Sequence, residues 1–213
     1  MSAINHHIPE ALMQAYAAGT LPRPFAIVVA AHVSMCDQCR AVFEAHESAG
    51  GAVLEDMVQA PVDSGLRDSV LELLDVPVSE PEPAAPVRSG VFPGPVVECL
   101  HGRPPRWRKM GMGVKQCLLE DGRSGSVRLL HIPAGQAVPD HSHNGLELTL
   151  VLQGSFSDET GRFGVGDVEI GDEDLEHTPI ADAGPDCICL AATDAPLRFN
   201  QFVPRMLQPI FRI

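Results

Sequence analysis

Between Gly135 and Gly154 the chain reads GQAVPDHSHNGLELTLVLQG. His141 and His143 are two residues apart, so on a strand both imidazoles point to the same face, because strand side chains alternate. Glu147 follows after an Asn-Gly break, and the two framing glycines suit turns. Two imidazole nitrogens and one carboxylate oxygen form an incomplete site of the kind that binds zinc, iron, manganese or nickel.

A candidate for a fourth ligand lies in the segment that begins at Gly166, where the chain reads GDVEIGDEDLEH and ends at His177. The glycines, histidines and glutamate of the first segment resemble the first motif of the cupin family, and His177 has the spacing of its second motif. The resemblance implies one metal ion bound by His141, His143, Glu147 and His177. Two surface histidines in a turn and an exposed glutamate are the alternative interpretation.

A second metal signature lies near the amino terminus, where HVSMCDQC gives the spacing His32-x3-Cys36-x2-Cys39. His32 and Cys36 share a helix face because residues four apart are neighbours. Cys36 and Cys39 form a chelating turn that begins another helix. Ordinary buried thiols beside a capping histidine are the alternative. The candidates for a fourth zinc ligand are, in order of preference, His7, His6 and His46.

Length and charge restrict the classes of function. The chain has 213 residues, enough for two modest domains, and 45% hydrophobic residues, enough for a packed core. The formal net charge of -13 argues against nucleic acid as a direct ligand. Acidic side chains outnumber basic ones in residues 1–76, which favours a basic protein partner. Solubility alone is the alternative explanation of the surplus acid.

The amino terminus and the cysteines indicate the cellular compartment of the protein. The first twenty residues lack the basic start and apolar run of a secretory signal. The longest apolar stretch, 25–31, is too short to span a bilayer. We therefore expect a cytoplasmic protein with no membrane partner, in which Cys-x2-Cys indicates metal or redox chemistry.

The other cysteines lie in the second half of the chain. Cys187 and Cys189 share one strand face, either as two buried small apolar residues or as a redox-active thiol pair near the cupin metal. Cys99 and Cys117 show no partner pattern.

Helical patterns occupy the first part of the chain. Helices are predicted over residues 8–18, 22–33 and 36–48, the third closing at Gly50-Gly51. A fourth begins after caps at residues 63–64. Its apolar stripe is either core or a docking face for a partner, and it consists of Leu66, Val70, Leu73 and Leu74.

A proline-rich linker over residues 77–92 separates the helices from a region of strand patterns, and we expect the two halves to have separate cores. Gly- and Pro-rich turns between short strands suggest a sandwich or barrel. In 146–152 the leucines take one face and Glu147, Thr149 and Val151 take the other, which could line a barrel interior. The predicted strands are 96–100, 114–119, 127–132, 146–152, 162–165, 168–170, 187–192 and 198–202.

Taken together, the two metal motifs, the early His-His pair, the linker and the run at 186–200 resemble the ChrR-type zinc-binding anti-sigma factors with a C-terminal cupin domain. The resemblance implies an α+β multidomain protein. A zinc-tied helical bundle (1–76) precedes the linker and an all-β cupin domain (93–213) of double-stranded β-helix, jelly-roll-like architecture. It also implies two zinc ions per chain. The amino-terminal ligands would be His7, His32, Cys36 and Cys39.

The implied function is regulatory. The bundle would sequester a group IV, extracytoplasmic-function sigma factor, and the cupin domain would be needed to release it when singlet oxygen or related oxidants are present. One alternative is a metal-dependent cupin enzyme, a dioxygenase or isomerase, using iron, manganese or nickel. Another is a passive module that binds metal or a small acid. The zinc bundle favours the regulator, because a small cupin enzyme has no need of it.

Overall fold

Helices occupy the first part of the chain and strands form most of the rest, as the sequence predicted. The computed structural model describes residues 3–77, 88–138, 141–142, 145–172, 175–195 and 198–199. The helices are α1 Glu10–Ala17, α2 Arg23–Val33, α3 Asp37–Glu55, α4 Leu66–Leu73 and α5 Gly94–Cys99.

Prolines and a cysteine mark where the first helices begin. Pro9 and Pro22 precede α1 and α2, positions where a missing N–H is tolerated. Cys36 caps α3, and its Sγ accepts a hydrogen bond from the backbone N–H of Cys39 at 3.5 Å. The predicted stop of this helix at Gly50-Gly51 is wrong, because α3 continues for another turn. Glycine costs a helix interior only about 1 kcal/mol and does not forbid it.

The predicted strand over residues 96–100 is also wrong, because this segment forms α5. Pro93 precedes the helix and Pro95 lies in its first turn, where its fixed φ is already helical. The adjacent valines suggested a strand from the sequence. In the structure Val96 is instead fully buried against the core from a helix.

The strands form one large and two small sheets in which every described pairing is antiparallel. The strands are β1 Arg108–Gly111, β2 Val114–Gly122, β3 Gly125–Ile132, β4 His141–Ser142, β5 Glu147–Gln153, β6 Ser155–Ser157, β7 Arg162–Gly164, β8 Val168–Gly171, β9 Glu176–His177, β10 Ile180–Ala181, β11 Cys187–Thr193 and β12 Arg198–Phe199. The large sheet has the order β1-β2-β3-β11-β5-β8, and the small ones have the orders β10-β6-β7 and β12-β4-β9. This arrangement confirms the predicted β domain.

Strand β5 shows how the large sheet uses its two faces. Leu148, Leu150 and Leu152 belong to a buried cluster that also contains residues of α2. Val151 points the other way, into a second buried cluster. This cluster contains Phe156 and other residues of β6, β7 and β11. The predicted alternation is confirmed, and the leucine face is covered by helix rather than by solvent.

The helices and the large sheet share one hydrophobic core. Met13 of α1 and Val28 of α2 lie in the same cluster as Leu129 and Leu148, and α2 packs on β3, β5 and β11. The expectation that the two halves have separate cores is therefore wrong. Helix α2 is apolar nearly all round, and a helix of that kind must be covered on every side.

The predicted linker falls largely on residues 78–87, which lie outside the described residues, so the domain bounds remain a prediction. Among the described helices, none by itself has the length and apolarity to cross a bilayer; α2 and α3 meet that test only as a pair, bent by 119°.

Candidate metal centres and docking surface

Four potential metal ligands from the amino-terminal region meet at one place. His7, His32, Cys36 and Cys39 each offer one donor atom, and these atoms all lie within 4.8 Å of one another. His7 Nδ1 is 3.4 Å from Cys36 Sγ and 3.6 Å from Cys39 Sγ. The structure thus brings together the set that the sequence singled out, with His7 in the fourth position.

The junction between α2 and α3 creates this cluster. His32 lies in the last turn of α2, and the backbone N–H of Cys36 donates to its carbonyl oxygen at 2.9 Å. The chain then turns directly into α3, whose first turn carries Cys39. His7 reaches the cluster from the extended segment before α1. Three chain segments are therefore tied at one point.

The donor geometry fits zinc. With Zn–S of about 2.3 Å and Zn–N of about 2.0 Å, a tetrahedral site has a nitrogen–sulfur edge of about 3.5 Å. The His7 nitrogen lies at 3.4 and 3.6 Å from the two sulfurs. His32 Nε2 is buried and has no hydrogen-bond partner among the described residues. Because leaving such a nitrogen unpaired is costly, ligation to a metal accounts for its position.

The rival ligands lie outside the cluster. His6 Nδ1 is 3.5 Å from Asp167 Oδ1, and its ring packs on Phe163 with centroids 4.4 Å apart. His46 belongs to the middle of α3 and is not among the grouped residues. The choice between neighbouring histidines is thus decided by Asp167, a residue far away in sequence.

Zinc binding should release protons. Burial lowers the pKa of His32 to about 4, so the imidazole is neutral at pH 7. Burial, with the nearby Cys36 thiol, raises the pKa of Cys39 to about 11, so this thiol is protonated before metal binds. Because the bound state holds fewer protons, we expect zinc affinity to rise as the pH rises from about 6 to 9.

Calorimetry of the metal-free protein in two buffers with different ionisation enthalpies measures this release. The Cys39→Ala variant is the control, and because it lacks one ligand it should show neither zinc binding nor proton release at this site. Equal release by the two proteins would show that the protons do not come from zinc binding at the Cys39 cluster.

The predicted cupin site is described only in part. His143 lies outside the described residues, and for His141 only the backbone is described. That backbone places His141 of β4 opposite His177 of β9 in an antiparallel pair. Glu147 begins β5, and its Oε1 accepts a hydrogen bond from Thr149 Oγ1 at 2.9 Å. The four-ligand site therefore remains a proposal, supported by this strand pairing.

Two carboxylates that belong to no sequence motif lie beside His177. Its Nδ1 lies 2.7 Å from Asp158 Oδ2 and 3.3 Å from Glu169 Oε1 in a buried group. Burial alone would lower the pKa of His177, but hydrogen bonds and charges from Glu169 and Asp158 raise it to about 9. Burial raises the pKa of Glu169 to about 7. Carboxylates on one imidazole nitrogen orient the other nitrogen for metal binding.

The sequence held one weak signal of this group. Glu169 stands between Val168 and Ile170 in β8, and an acid inside an apolar strand indicates a buried role. Asp158 lies in a turn and carried no signal.

Cys187 and Cys189 form a buried thiol pair. Their sulfurs are 3.4 Å apart, and both residues are free thiols. They pack with Val151 and Phe156 in the second cluster. The hydrogen bond between the two thiols, together with burial, raises the pKa of Cys189 well above its usual value. These surroundings favour the apolar packing role, and a redox role remains a prediction.

The stripe on α4 is exposed, so its interpretation as core is wrong. Helix α4 has no buried residue. The exposed fractions are 47% for Leu66, 51% for Val70, 66% for Leu73 and 77% for Leu74. The exposure extends along the chain from the end of α3. We call the whole set the apolar run, and it comprises Val53, Leu54, Met57, Val58, Val62, Leu66, Val70, Leu71, Leu73, Leu74 and Val76.

Comparison with known proteins gives consistent matches over both halves. A family model described as the ChrR cupin-like domain matches residues 100–195. The anti-sigma-E factor ChrR of Cereibacter sphaeroides is 52% identical over 212 residues, which is 99% of each chain. In the crystal structure of Rhodobacter sphaeroides SigE in complex with the anti-sigma ChrR, a chain 50% identical superimposes with a TM-score of 0.79, covering 90% of this chain and 100% of that one.

Proposed function

The chain belongs to the ChrR family of anti-sigma factors with a cupin-like domain, and from this premise we propose that it sequesters a group IV, extracytoplasmic-function sigma factor. We propose further that it releases this factor in response to singlet oxygen or related oxidants. Because an anti-sigma factor is a regulator and not an enzyme, the alternative of a cupin dioxygenase or isomerase is rejected. The sigma factor acts in the cytoplasm, and the proposal places this protein there as well.

The apolar run is the observation that supports sigma binding. Monomeric proteins rarely expose many large apolar side chains together, and such exposure marks an interaction surface. The chain that bears this surface, residues 53–76, is also acidic, because it has six Asp or Glu residues and one basic residue, Arg67. A sigma factor binds DNA and therefore carries basic surfaces. An acidic, apolar helix pair complements a partner of that kind.

Zinc would give this surface its shape. The amino-terminal cluster joins the segment before α1 to the end of α2 and the start of α3. Bound zinc supplies rigid attachment of three chain segments, and its binding energy is part of the folding energy of a small helical unit. Helix α4 and the end of α3, which bear the apolar run, extend from that rigid base.

The cupin half would be the sensor. We assign a second metal ion, zinc or alternatively iron, manganese or nickel, to His141, His143, Glu147 and His177. The orientation of His177 by Asp158 and Glu169 supports that assignment. In this proposal residues 1–76 inhibit, residues 93–213 respond, and the linker at 77–92 joins them.

A transcription assay with the cognate sigma factor, in the dark and under photosensitised light, tests the proposal. The full chain should inhibit in the dark and release the factor in the light. A 1–76 fragment and the full-length Glu147→Gln variant should inhibit under both conditions. We expect the fragment to be less stable, because α2 loses its cover from the large sheet.

Each arm has its own contradicting outcome. Failure of the full, zinc-loaded chain to bind or inhibit the factor would exclude the anti-sigma assignment for this protein. A light response in the Glu147→Gln variant equal to that of the parent would exclude the metal-bearing cupin as the sensor.

A further inference from the structure

The segment that carries His7 is held by the turn between β7 and β8. Asp167 Oδ1 accepts hydrogen bonds from the backbone N–H of Asn5 at 2.7 Å and of His6 at 2.9 Å. Its Oδ2 accepts from the N–H of Gly164 at 2.8 Å. Asp167 is only 3% exposed, so one buried carboxylate joins the turn to the residues directly before a proposed zinc ligand.

The same turn contacts a second ligand of the amino-terminal cluster. His32 Nδ1 lies 2.9 Å from the carbonyl oxygen of Gly166. Because that oxygen can only accept, the proton is on Nδ1, and the lone pair of Nε2 faces the cluster. Gly166 has a φ of 94°, and a Cβ there would lie 2.5 Å from Ile4 Cδ1. A side chain at this positive φ would be strained and would displace the Ile4 side chain, so glycine suits the close approach of the turn to the amino-terminal segment.

The strand that follows the turn reaches the other proposed site. Glu169 is two residues beyond Asp167, and its Oε1 lies 3.3 Å from His177 Nδ1. Between them, the N–H of Val168 donates to the carbonyl oxygen of His6 at 3.2 Å. One stretch of backbone, 164–169, therefore contacts the surroundings of both metal sites.

We propose that residues 164–169 position the ligands of the amino-terminal zinc site and couple that site to the cupin site. Asp167 and Gly166 fix the backbone before His7 and the tautomer of His32. Glu169 Oε1 lies within ion-pair distance of His177 Nδ1, so a change at the cupin metal would displace the same backbone. This coupling deepens the proposed release mechanism and rests on it for its biological role. The coupling itself is testable by metal release without any sigma factor, so the two can fail separately.

The positioning role is tested on the full chain loaded with cobalt(II) in place of zinc. Of the two proposed sites, only the amino-terminal one has thiolate ligands, so its sulfur-to-cobalt charge-transfer absorption reports that site alone. We expect Asp167→Ala to speed the loss of this absorption to a chelator about tenfold or more. Hydrogen exchange at the Asn5 and His6 amides should accelerate as well, because both lose their acceptor.

Asp182→Ala is the matched control. The Asp182 carboxylate also accepts several hydrogen bonds, from Ser155, Ser157 and Arg162, but within the strand region. Equal release rates in the two variants would overturn the positioning role. If Asp167→Ala does not fold, Asp167→Asn, which keeps one acceptor oxygen, should still release cobalt faster than the control, and an unchanged rate there would overturn the proposal too.

The coupling is tested by a double-mutant cycle with Glu169→Gln. This change next to the cupin site should alter cobalt release from the thiolate site about fivefold or more in the parent chain. It should have little effect in the Asp167→Asn background, where the connection is already weakened. The coupling would be overturned if Glu169→Gln left the cobalt release rate of the parent chain unchanged. It would also be overturned if Glu169→Gln changed that rate equally in both backgrounds.

Discussion

Replacing Cys39 with alanine is expected to remove the amino-terminal metal and to destabilise the whole chain, not the helices alone. Structural zinc sites contribute apparent binding energies of about 10–16 kcal/mol to folding, whereas a domain's net stability is about 5–15 kcal/mol. Cys39 is a buried member of the ligand cluster. Loss of one ligand therefore removes a contribution as large as the stability itself.

The shared core determines how far this effect spreads. Helix α2 carries His32 in its last turn and packs on β3, β5 and β11. If the end of α2 loosens, Val28 and its neighbours no longer cover Leu148 and Leu150 of the sheet. We expect the melting transition of the strand region to fall together with that of the helices, and sigma binding to be lost.

Metal analysis and thermal unfolding by circular dichroism measure the outcome, with Cys117→Ala as the control. Cys117 is buried to a similar extent but belongs to β2 and to none of the potential metal-binding groups among the described residues. The variant at Cys39 should contain one zinc ion fewer per chain than the control. Full zinc content with a melting temperature equal to that of Cys117→Ala would contradict the zinc assignment.

Much of the amino-terminal site was predictable because its information is local. The spacing of His32, Cys36 and Cys39 determines a shared face and a turn, whatever surrounds them. The choice of His7 over His6 was different. It depends on Asp167, which binds the backbone and approaches the ring of His6 from a turn far along the chain. A spacing argument cannot contain a contact of that kind.

The errors in the fold have the same origin. The valines of residues 96–100 predict a strand, but Pro95 in the first turn is the stronger local signal for a helix. The linker prolines predict separate cores, but the all-round apolar surface of α2 requires a cover on every side. The stronger signal lies in the same segment in the first case and in a distant helix in the second.

Asp158 and Glu169 show what the sequence could not supply. A turn acid and a strand acid, neither in a motif, meet at His177 only after β6, β8 and β9 are in place. The ligand motif was visible because ligands recur at fixed spacings, whereas the carboxylates that orient them follow the tertiary fold.

The second large effect should come from charging the apolar run. Val70 and Leu73 are three residues apart on α4, so they lie on one face of the helix, and both are more than half exposed. The double variant Val70→Glu with Leu73→Glu should leave stability nearly unchanged, because neither side chain is buried. Placing two unpaired carboxylates against the partner adds a desolvation cost to the lost apolar contacts, together about 3 kcal/mol or more, so sigma binding should weaken about 100-fold or more.

Binding to the purified sigma factor by calorimetry, with melting temperature as the folding check, measures this expectation. Met112→Glu is the control, because Met112 is 72% exposed and lies in the β1–β2 turn, away from the helices. It should bind like the parent chain. Normal binding by the α4 variant would move the docking surface elsewhere on the bundle, and equal weakening by Met112→Glu would show that added charge alone lowers the affinity. Weakening in α4 alone would identify this exposed face as part of the surface through which the bundle inhibits.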